Sequence, residues 1–575
     1  MPAVGSGPGM RSLLLAAVLC GALALLPTTS TAKEGSRFHP GVTSPYGVVA
    51  TESPQAAAVG RDVLEHGGNA VDATVSTVFA LGVARPQSCG IGGGGFMVYR
   101  DHNGSVSTLD FRETAPAAIR SDTFTGPGLY QTFTGHTTVG VPGVVAGMSA
   151  ALKRFGTISL RKAITPAQHL AQDGITVLPS LADSITANQN RIKLFGATAD
   201  QYLHQDGTPY AAGETLRQPD MARSLQRIMD DGPSAFYNGK IAQQIVDDMR
   251  APKLEGEQGL MTRQDLRDYR AKWRAPLIGS YRGREIDAMP PPTSGGTAII
   301  EMLNVLEGFD LAGAGMSSAD ADYAIAEAQR IAWADRNAYL GDPDFVSIPQ
   351  QLTDKSYAAQ RRAEIDPSHT HAYDPGTFPA AAGADFNPNG STTQMDVIDS
   401  HGNAVSLTCT IEQEFGSAVV APHTGFLLNN ELTDFSAAGT ANEAAPHKRP
   451  RSSMSPTIVA QGGVPVLATG GAGGSRIIMG ALETILDTID FGQDLPHAVD
   501  AERLDNQGSA TLEIEDARVD PAVLSELEAR GYTLSRKGEY NIRPRVQLAG
   551  IDPLTGLRTA VSDSRSDQGS LAQRP

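Results

Sequence analysis

The sequence predicts a mixed α/β (α+β) fold, and three observations carry that prediction. Helix-length amphipathic segments fill the stretch from Val141 to Asp366, strand-like runs with period-two alternation follow from Thr392 onward, and 575 residues suffice to bury a large composite core. Hydrophobic residues make up 41% and charged residues 19%, values of a globular chain that exclude a polytopic membrane protein. Acidic residues outnumber basic ones by 63 to 46, a formal charge of −17 that repels phosphate backbones. Nucleic acid is thereby excluded as a partner, while small or cationic ligands stay open.

At the N-terminus, residues 1–32 combine an early cation, Arg11, an apolar run from Leu13 to Leu26, then Pro27 and the small residues Ser30-Thr31-Ala32. This is the pattern of a secretory signal, so a secreted, extracellular protein is expected. The apolar run falls short of the roughly 20 residues a membrane-spanning helix needs, and no stable membrane span is expected. Cys20 lies inside the run, and Ala17-Val18-Leu19 before it lacks the small residue that precedes a lipidated cysteine. Beyond the leader only Cys89 and Cys409 remain, too few for a disulfide framework, and both read as small core residues.

From Pro54, the spacing of Ala56, Ala57, Val59, Val63 and Leu64 before His66-Gly67-Gly68-Asn69 predicts an amphipathic helix with a glycine stop. A second helix, Ala70 to Val83, is apolar on nearly every side and should be buried. It leads into Cys89-Gly90-Ile91-Gly92-Gly93-Gly94-Gly95-Phe96. A phosphate-binding glycine loop would need a following helix, whereas Phe96-Met97-Val98-Tyr99 reads as a strand, so these glycines indicate close backbone packing. Amphipathic segments at Arg223–Met229, Lys240–Met249 and Ser318–Tyr339 form the scaffold of the middle. The stretch from Tyr373 to Ser391, rich in Pro, Gly, Ala and Asn, reads as a flexible connection. Strand signals follow at Thr392–Asp399, Ala404–Ile411, Gly425–Leu428, Thr457–Val459 and Val466–Thr469.

The turn at Ser400-His401-Gly402 would pair Asp399 with Asn403, and that register sets Thr392 directly opposite Thr410. One face of the resulting hairpin carries Thr392, Gln394, Asp396, Ser406, Thr408 and Thr410; the other carries Met395, Val397, Val405, Leu407 and Cys409. Geometry alone leaves open whether the polar face meets solvent or lines a site.

A set of ordered strings then carries a family resemblance: Gly67-Gly68-Asn69-Ala70-Val71-Asp72-Ala73, Gly90 to Phe96, Leu109-Asp110-Phe111-Arg112, Val141-Pro142-Gly143 and Pro290-Pro291-Pro292-Thr293-Ser294-Gly295-Gly296. It continues in Gly341-Asp342-Pro343, Thr392-Thr393, Leu428-Asn429-Asn430-Glu431, Lys448-Arg449-Pro450, Ser452-Ser453-Met454-Ser455-Pro456 and Gly473-Gly474-Ser475-Arg476. In these the chain resembles the γ-glutamyltransferase (glutathione hydrolase) family of N-terminal-nucleophile hydrolases. The resemblance implies a four-layer αββα fold and self-processing into a large segment, 33–391, and a small one, 392–575, that stay together as a heterodimer.

By position, Thr392 is similar to the family's nucleophile, which first attacks its own preceding carbonyl. A threonine hydroxyl is a weak nucleophile, and the freed α-amine beside it supplies the base. The resemblance gives Thr410 the role of holding that hydroxyl, and Gly473 and Gly474 that of the oxyanion hole. Arg112, Ser452 and Ser453 match the groups that hold a donor's α-carboxylate; Glu431 and Asp434 match those that hold its α-ammonium. Glutathione or another γ-glutamyl donor, with water, an amino acid or a peptide as acceptor, is the implied chemistry; no cofactor and no metal is implied.

The sequence departs from the family pattern in four places. Gln394 stands where many members have histidine, Glu412 where an asparagine commonly helps bind the ammonium, and Arg451 before the paired serines is unusual. Only 17 residues separate Asp434 from Ser452, so an open, lidless cleft is expected. Two alternatives are an acylase of the same fold acting on another amide, such as a cephalosporin side chain, and an inactive secreted homologue that only binds.

The leader reading has a direct check. Intact mass of protein recovered from cell-free supernatant should correspond to a chain lacking residues 1–32; a secreted chain that keeps Leu13–Leu26 would overturn it.

Overall fold

The computed structural model describes residues 38–123, 133–251, 254, 257, 259–378 and 390–575. The expected leader, 1–32, and residues 379–389 of the expected flexible connection lie outside the described residues. The start of that connection is anchored, contrary to expectation: the Gly376 amide donates to Asp335 at 2.6 Å, and the Tyr373 hydroxyl bonds Glu327.

The first helix, Pro54–Glu65, is capped by Ser53 and opens with proline at a position where a missing N–H costs nothing. Gly67 (φ 82°) supplies the left-handed turn out of it. Asn69 then caps Ala70–Ala84 in a capping box with Asp72, and all fifteen residues of this second helix are buried.

Two seven-stranded antiparallel sheets form the centre. The first runs in the order Gly569–Ala572, Val48–Thr51, Thr392–Ile398, Ala404–Thr410, Gly94–Arg100, Val106–Asp110, Lys272–Arg274. The second runs Val42–Ser44, Arg558–Ser562, Arg545–Ile551, Val464–Ala472, Thr457–Gln461, Arg284–Ala288, Leu277–Tyr281. They pack face to face, with Pro54–Glu65, Ala70–Ala84 and Val144–Phe155 covering the first and Gly295–Leu306 and Ile477–Ile489 covering the second. The result is the four-layer αββα arrangement. Among the described residues no helix is long and apolar enough to cross a membrane.

The hairpin register agrees with the sequence reading: Thr392 pairs with Thr410, Gln394 with Thr408 and Asp396 with Ser406, and the Asp399 amide donates to Asn403 at 3.1 Å. Its polar face meets the second sheet, not solvent, so both faces are buried. Ser406 Oγ donates to the Thr469 carbonyl at 2.9 Å, and the Gln394 amide links Asp396, Ser406 and Thr408. A side chain at Gly470 would collide with Gln394, so the second sheet comes close only because that position is glycine.

Two expectations are corrected. Gly425–Leu428 is not a strand: Gly425 sits at φ 73°, Leu427 makes an isolated bridge with Val420, and the Leu428 amide bonds Val419 across a loop. Cys89 and Cys409 are not free core thiols; fully buried, they form a disulfide between positions 320 residues apart. A low cysteine count argued against a framework of several bridges and was silent about one.

The glycine run packs backbone on backbone, as its strand context suggested. A Cβ at Gly92, Gly93 or Gly95 would strike the carbonyls of Leu427, Thr410 or Thr408, and the Gly143 and Val144 amides bond the Gly93 carbonyl at 2.8 and 3.1 Å.

Candidate functional site

Thr392 opens its strand and Thr410 closes the next, so antiparallel pairing brings the two hydroxyls within 3.3 Å at one end of the sheet. Thr410 Oγ1 also donates to the Ser391 carbonyl at 3.0 Å and accepts from the Glu412 amide at 2.8 Å. The Ser391 amide donates to the Glu412 carbonyl at 2.5 Å, and Ser391 Oγ meets Ser88 Oγ at 3.0 Å. Glu412 holds a left-handed backbone (φ 76°), a conformation uncommon for a residue with a Cβ, and these two backbone contacts fix it there. In the unbroken chain, the carbonyl before Thr392 is thus already polarised by a hydroxyl donor.

A cleft at this end of the sheet is lined by Thr392, Thr410, Glu412, Gly474, Arg112, Glu431, Asp434, Ser452 and Ser453. Of the residues assigned from sequence to catalysis or substrate binding, only Gly473 is absent from that wall. It sits behind Gly474 at φ 153°, ψ 34°, where a Cβ would lie 2.9 Å from Arg543 Cβ and Pro544 Cα. Gly473-Gly474 joins the Val464–Ala472 strand, through the single turn Gly474–Arg476, to the buried helix Ile477–Ile489, and Gly474 lines the cleft.

Arg112 is 1% exposed, and its guanidinium is fully engaged. Nη1 bonds Glu431, Nη2 donates to Asp434 at 2.5 Å and to the Arg451 carbonyl at 3.3 Å, and Nε donates to the Pro450 carbonyl at 3.2 Å. Glu113 lies 4.0 Å from Nη1. Burial alone would lower the Arg112 pKa, but Glu431, Asp434 and Glu113 reverse this and hold it above the ordinary value. Burial pushes the Glu113 carboxyl up to about 7 against the pull of Arg112. Burial likewise raises Glu431, opposed by Arg112 and reinforced by Glu113, Asp434 and Glu412.

Several residues of the site were not singled out from sequence. Arg336 reaches across from the helix Ala319–Tyr339 and donates through Nε to Ser294 Oγ at 2.9 Å and through Nη2 to Ser453 Oγ at 3.0 Å. Ser294 in turn donates to the Ser452 carbonyl at 2.7 Å, so one arginine braces the serine pair from two sides. Arg451, which the sequence did mark as unusual before the paired serines, also lines the cleft and donates to the Arg336 carbonyl at 2.8 Å. Asn442 ties the 435–451 segment to the site: its Nδ2 donates to the Asp434 carbonyl at 2.6 Å, and its Oδ1 accepts from the Arg451 amide at 2.8 Å. Arg336 and Asn442 carry no local sequence signal, because the contacts that use them span 42 to 117 and 8 to 9 residues.

The acidic cluster gives a pH prediction with a definite sign. The Glu113 pKa is raised from 4.5 to about 7, so the folded state holds that proton more tightly than the unfolded chain. Its contribution to stability is present below pH 4.5 and is lost as pH rises through about 7. Glu113→Gln should therefore flatten the unfolding free energy against pH in this window by up to about 1.4 kcal/mol per pH unit. Denaturant titrations at several pH values check this, and an unchanged slope would refute it.

Comparison with known proteins gives the family. The family description Gamma-glutamyltranspeptidase matches residues 56–573. The chain is 40% identical to the glutathione hydrolase proenzyme of Escherichia coli K12, over 97% of this chain and 98% of that protein. It is 38% identical to the acylase ACY 1 proenzyme of Pseudomonas sp. SE83, over 85% of this chain and 87% of that protein. Among solved structures, a cephalosporin acylase from Bacillus halodurans superposes with a TM-score of 0.85 at 27% identity, covering 96% of this chain and 100% of that chain. The gamma-glutamyltranspeptidase of Helicobacter pylori gives 0.54 at 38% identity, covering 56% and 91%. With the match spanning nearly the whole chain and a threonine pair at the head of a sheet in an αββα fold, this protein belongs to the gamma-glutamyltranspeptidase family of enzymes.

Proposed function

We propose that the chain is a self-cleaving γ-glutamyltransferase and glutathione hydrolase whose nucleophile is Thr392. One observation carries the reading: the Thr392 hydroxyl opens onto the same cleft as a buried guanidinium, two serines and a cluster of carboxylates. That combination suits a ligand bearing both a carboxylate and an ammonium.

In the first reaction, Thr392 Oγ1 attacks the Ser391 carbonyl carbon while Thr410 Oγ1 donates to the carbonyl oxygen. The C–N bond between Ser391 and Thr392 breaks, an ester to Thr392 Oγ1 forms, and water hydrolyses it. This leaves segments 33–391 and 392–575 as a heterodimer, with a free α-amine beside the hydroxyl. In the second reaction that amine takes the hydroxyl proton as Oγ1 attacks the γ-carbonyl of the donor. The amides of Gly473 and Gly474 receive the oxyanion, and the proton passes to the departing amine. A γ-glutamyl ester on Thr392 remains, to be released by water or by an amino acid or peptide.

Arg112, Ser452 and Ser453 hold the donor's α-carboxylate, and Glu412, Glu431 and Asp434 hold its α-ammonium. In the empty site the acids occupy Arg112 themselves; an incoming carboxylate shares the guanidinium while the incoming ammonium compensates the acids it displaces. The acylase relatives keep a second reading in view, in which the same threonine opens a different amide.

Two variants test the assignment. Thr392→Ala should remain a single chain and lack activity on glutathione and on a γ-glutamyl anilide; N-terminal sequencing that still finds residue 392 as a new terminus would rule out self-attack. Arg112→Lys keeps the charge and loses the fork, so it should process normally yet lower γ-glutamyl turnover about 10-fold or more, the scale of a lost charge-assisted hydrogen bond. Wild-type turnover would make Arg112 structural; loss on γ-glutamyl donors with another acyl substrate retained would favour the acylase reading.

A further inference from the structure

The disulfide lies across the proposed cut. Cys89 belongs to the 33–391 segment and Cys409 to 392–575, and beyond the leader they are the chain's only cysteines, so no other pairing within one molecule exists. Each sulfur is one residue away from a hydroxyl that touches the scissile unit. Ser88, before Cys89, meets Ser391 Oγ at 3.0 Å, and Thr410, after Cys409, donates to the Ser391 carbonyl at 3.0 Å. Cys409 pairs with Thr393 on one side and Gly95 on the other, so the bridge is built into the sheet that carries the nucleophile.

We infer that Cys89–Cys409 is a covalent tether between the two segments, and that it holds Ser88 as a positioning residue against the bond that breaks. The inference rests on the self-cleavage reading above. Before the cut the bridge closes a loop within one chain; after the cut it becomes the one covalent link between two. Separation of the segments is then replaced by an intramolecular equilibrium with a high effective concentration. Forming the bond passes two electrons and two protons from the two thiols to an external disulfide oxidant, and a dithiol reverses this. Full burial of both cysteines shields the bond from reductant in the folded enzyme.

Purified secreted protein, alkylated before denaturation, is run on denaturing gels with and without dithiothreitol. The tether requires one band of full mature size without reductant and two bands with it, the larger about twice the smaller. Two bands without reductant would overturn the tether while leaving self-cleavage intact. One band in both lanes would refute self-cleavage itself, and the tether with it; thiol titration of the denatured protein then reports separately whether the bridge exists. For Ser88, the half-time of precursor processing is followed: Ser88→Ala and the Cys89→Ala/Cys409→Ala pair should each lengthen it at least threefold, and Ser88→Thr, which keeps the hydroxyl, should restore it. Unchanged processing in Ser88→Ala would remove Ser88 from the role.

Discussion

The antiparallel pairing of Thr392 with Thr410 is the contact on which the rest of the structure depends. A strand pair with hydroxyls at its open end is ordinary; this one is unusual in being buried on both faces. Met395, Val397, Val405 and Leu407 press into the core beneath the helix Ala70–Ala84, while Gln394, Asp396, Ser406 and Thr408 point between the sheets. That polar layer needs partners to be tolerated, and it has them in the Gln394 amide and the Thr469 carbonyl. Burial pushes the Asp396 carboxyl upward, against the hydrogen bonds from Ser406 and Gln394. This network, in which Asp396 Oδ2 is left without a hydrogen-bond partner among the described residues, fixes one register, and a slip of a single residue would turn Thr392 to the helix side.

Electrostatics sets the other half of the site. Glu113, Glu431 and Asp434 crowd one guanidinium, more acid than one cation can neutralise, and burial pushes the Glu113 and Glu431 carboxyls upward against the pull of Arg112. The Arg112 guanidinium is held by Glu431, Asp434 and the Pro450 and Arg451 carbonyls. Arg336, also on the cleft wall, is anchored to Ser294 and Ser453 and braces the serine pair.

Local pattern made much of this legible and left the rest hidden. The first two helices, the hairpin register and the close packing of the glycine run all follow from spacing, turn chemistry and missing side chains within a few residues. The second sheet was only partly readable: Thr457–Gln461 and Val464–Ala472 show alternation, but Arg284–Ala288 sits inside a stretch dominated by helical periodicity, and Gly425–Leu428 has strand composition in a loop. The disulfide was missed because proximity across 320 residues has no local trace. Arg336 was missed for the same reason: its partner Ser453 lies 117 residues away. The depth of Arg112 was hidden because a sequence does not say which carboxylates a guanidinium already holds.

The topology also suits the proposed break before Thr392, because the chain would keep its shape. The first sheet interleaves strands from both sides of Ser391: Val48–Thr51 and Gly94–Arg100 flank the Thr392–Ile398 and Ala404–Thr410 pair, and Gly569–Ala572 closes the far edge. In the second sheet Arg284–Ala288 lies against Thr457–Gln461, and Val42–Ser44 against Arg558–Ser562. Every such junction is a ladder of backbone pairing, so removing one peptide bond would leave the pairing intact. What the cut would release is local: Gly390 and Ser391, now lying against Gly474 and Glu412, would no longer be tied to Thr392, and the space they occupy beside the Thr392 hydroxyl would open to a donor. On this account the precursor's own backbone is the first occupant of the site, and the contacts that polarise the Ser391 carbonyl become available to the substrate that takes its place.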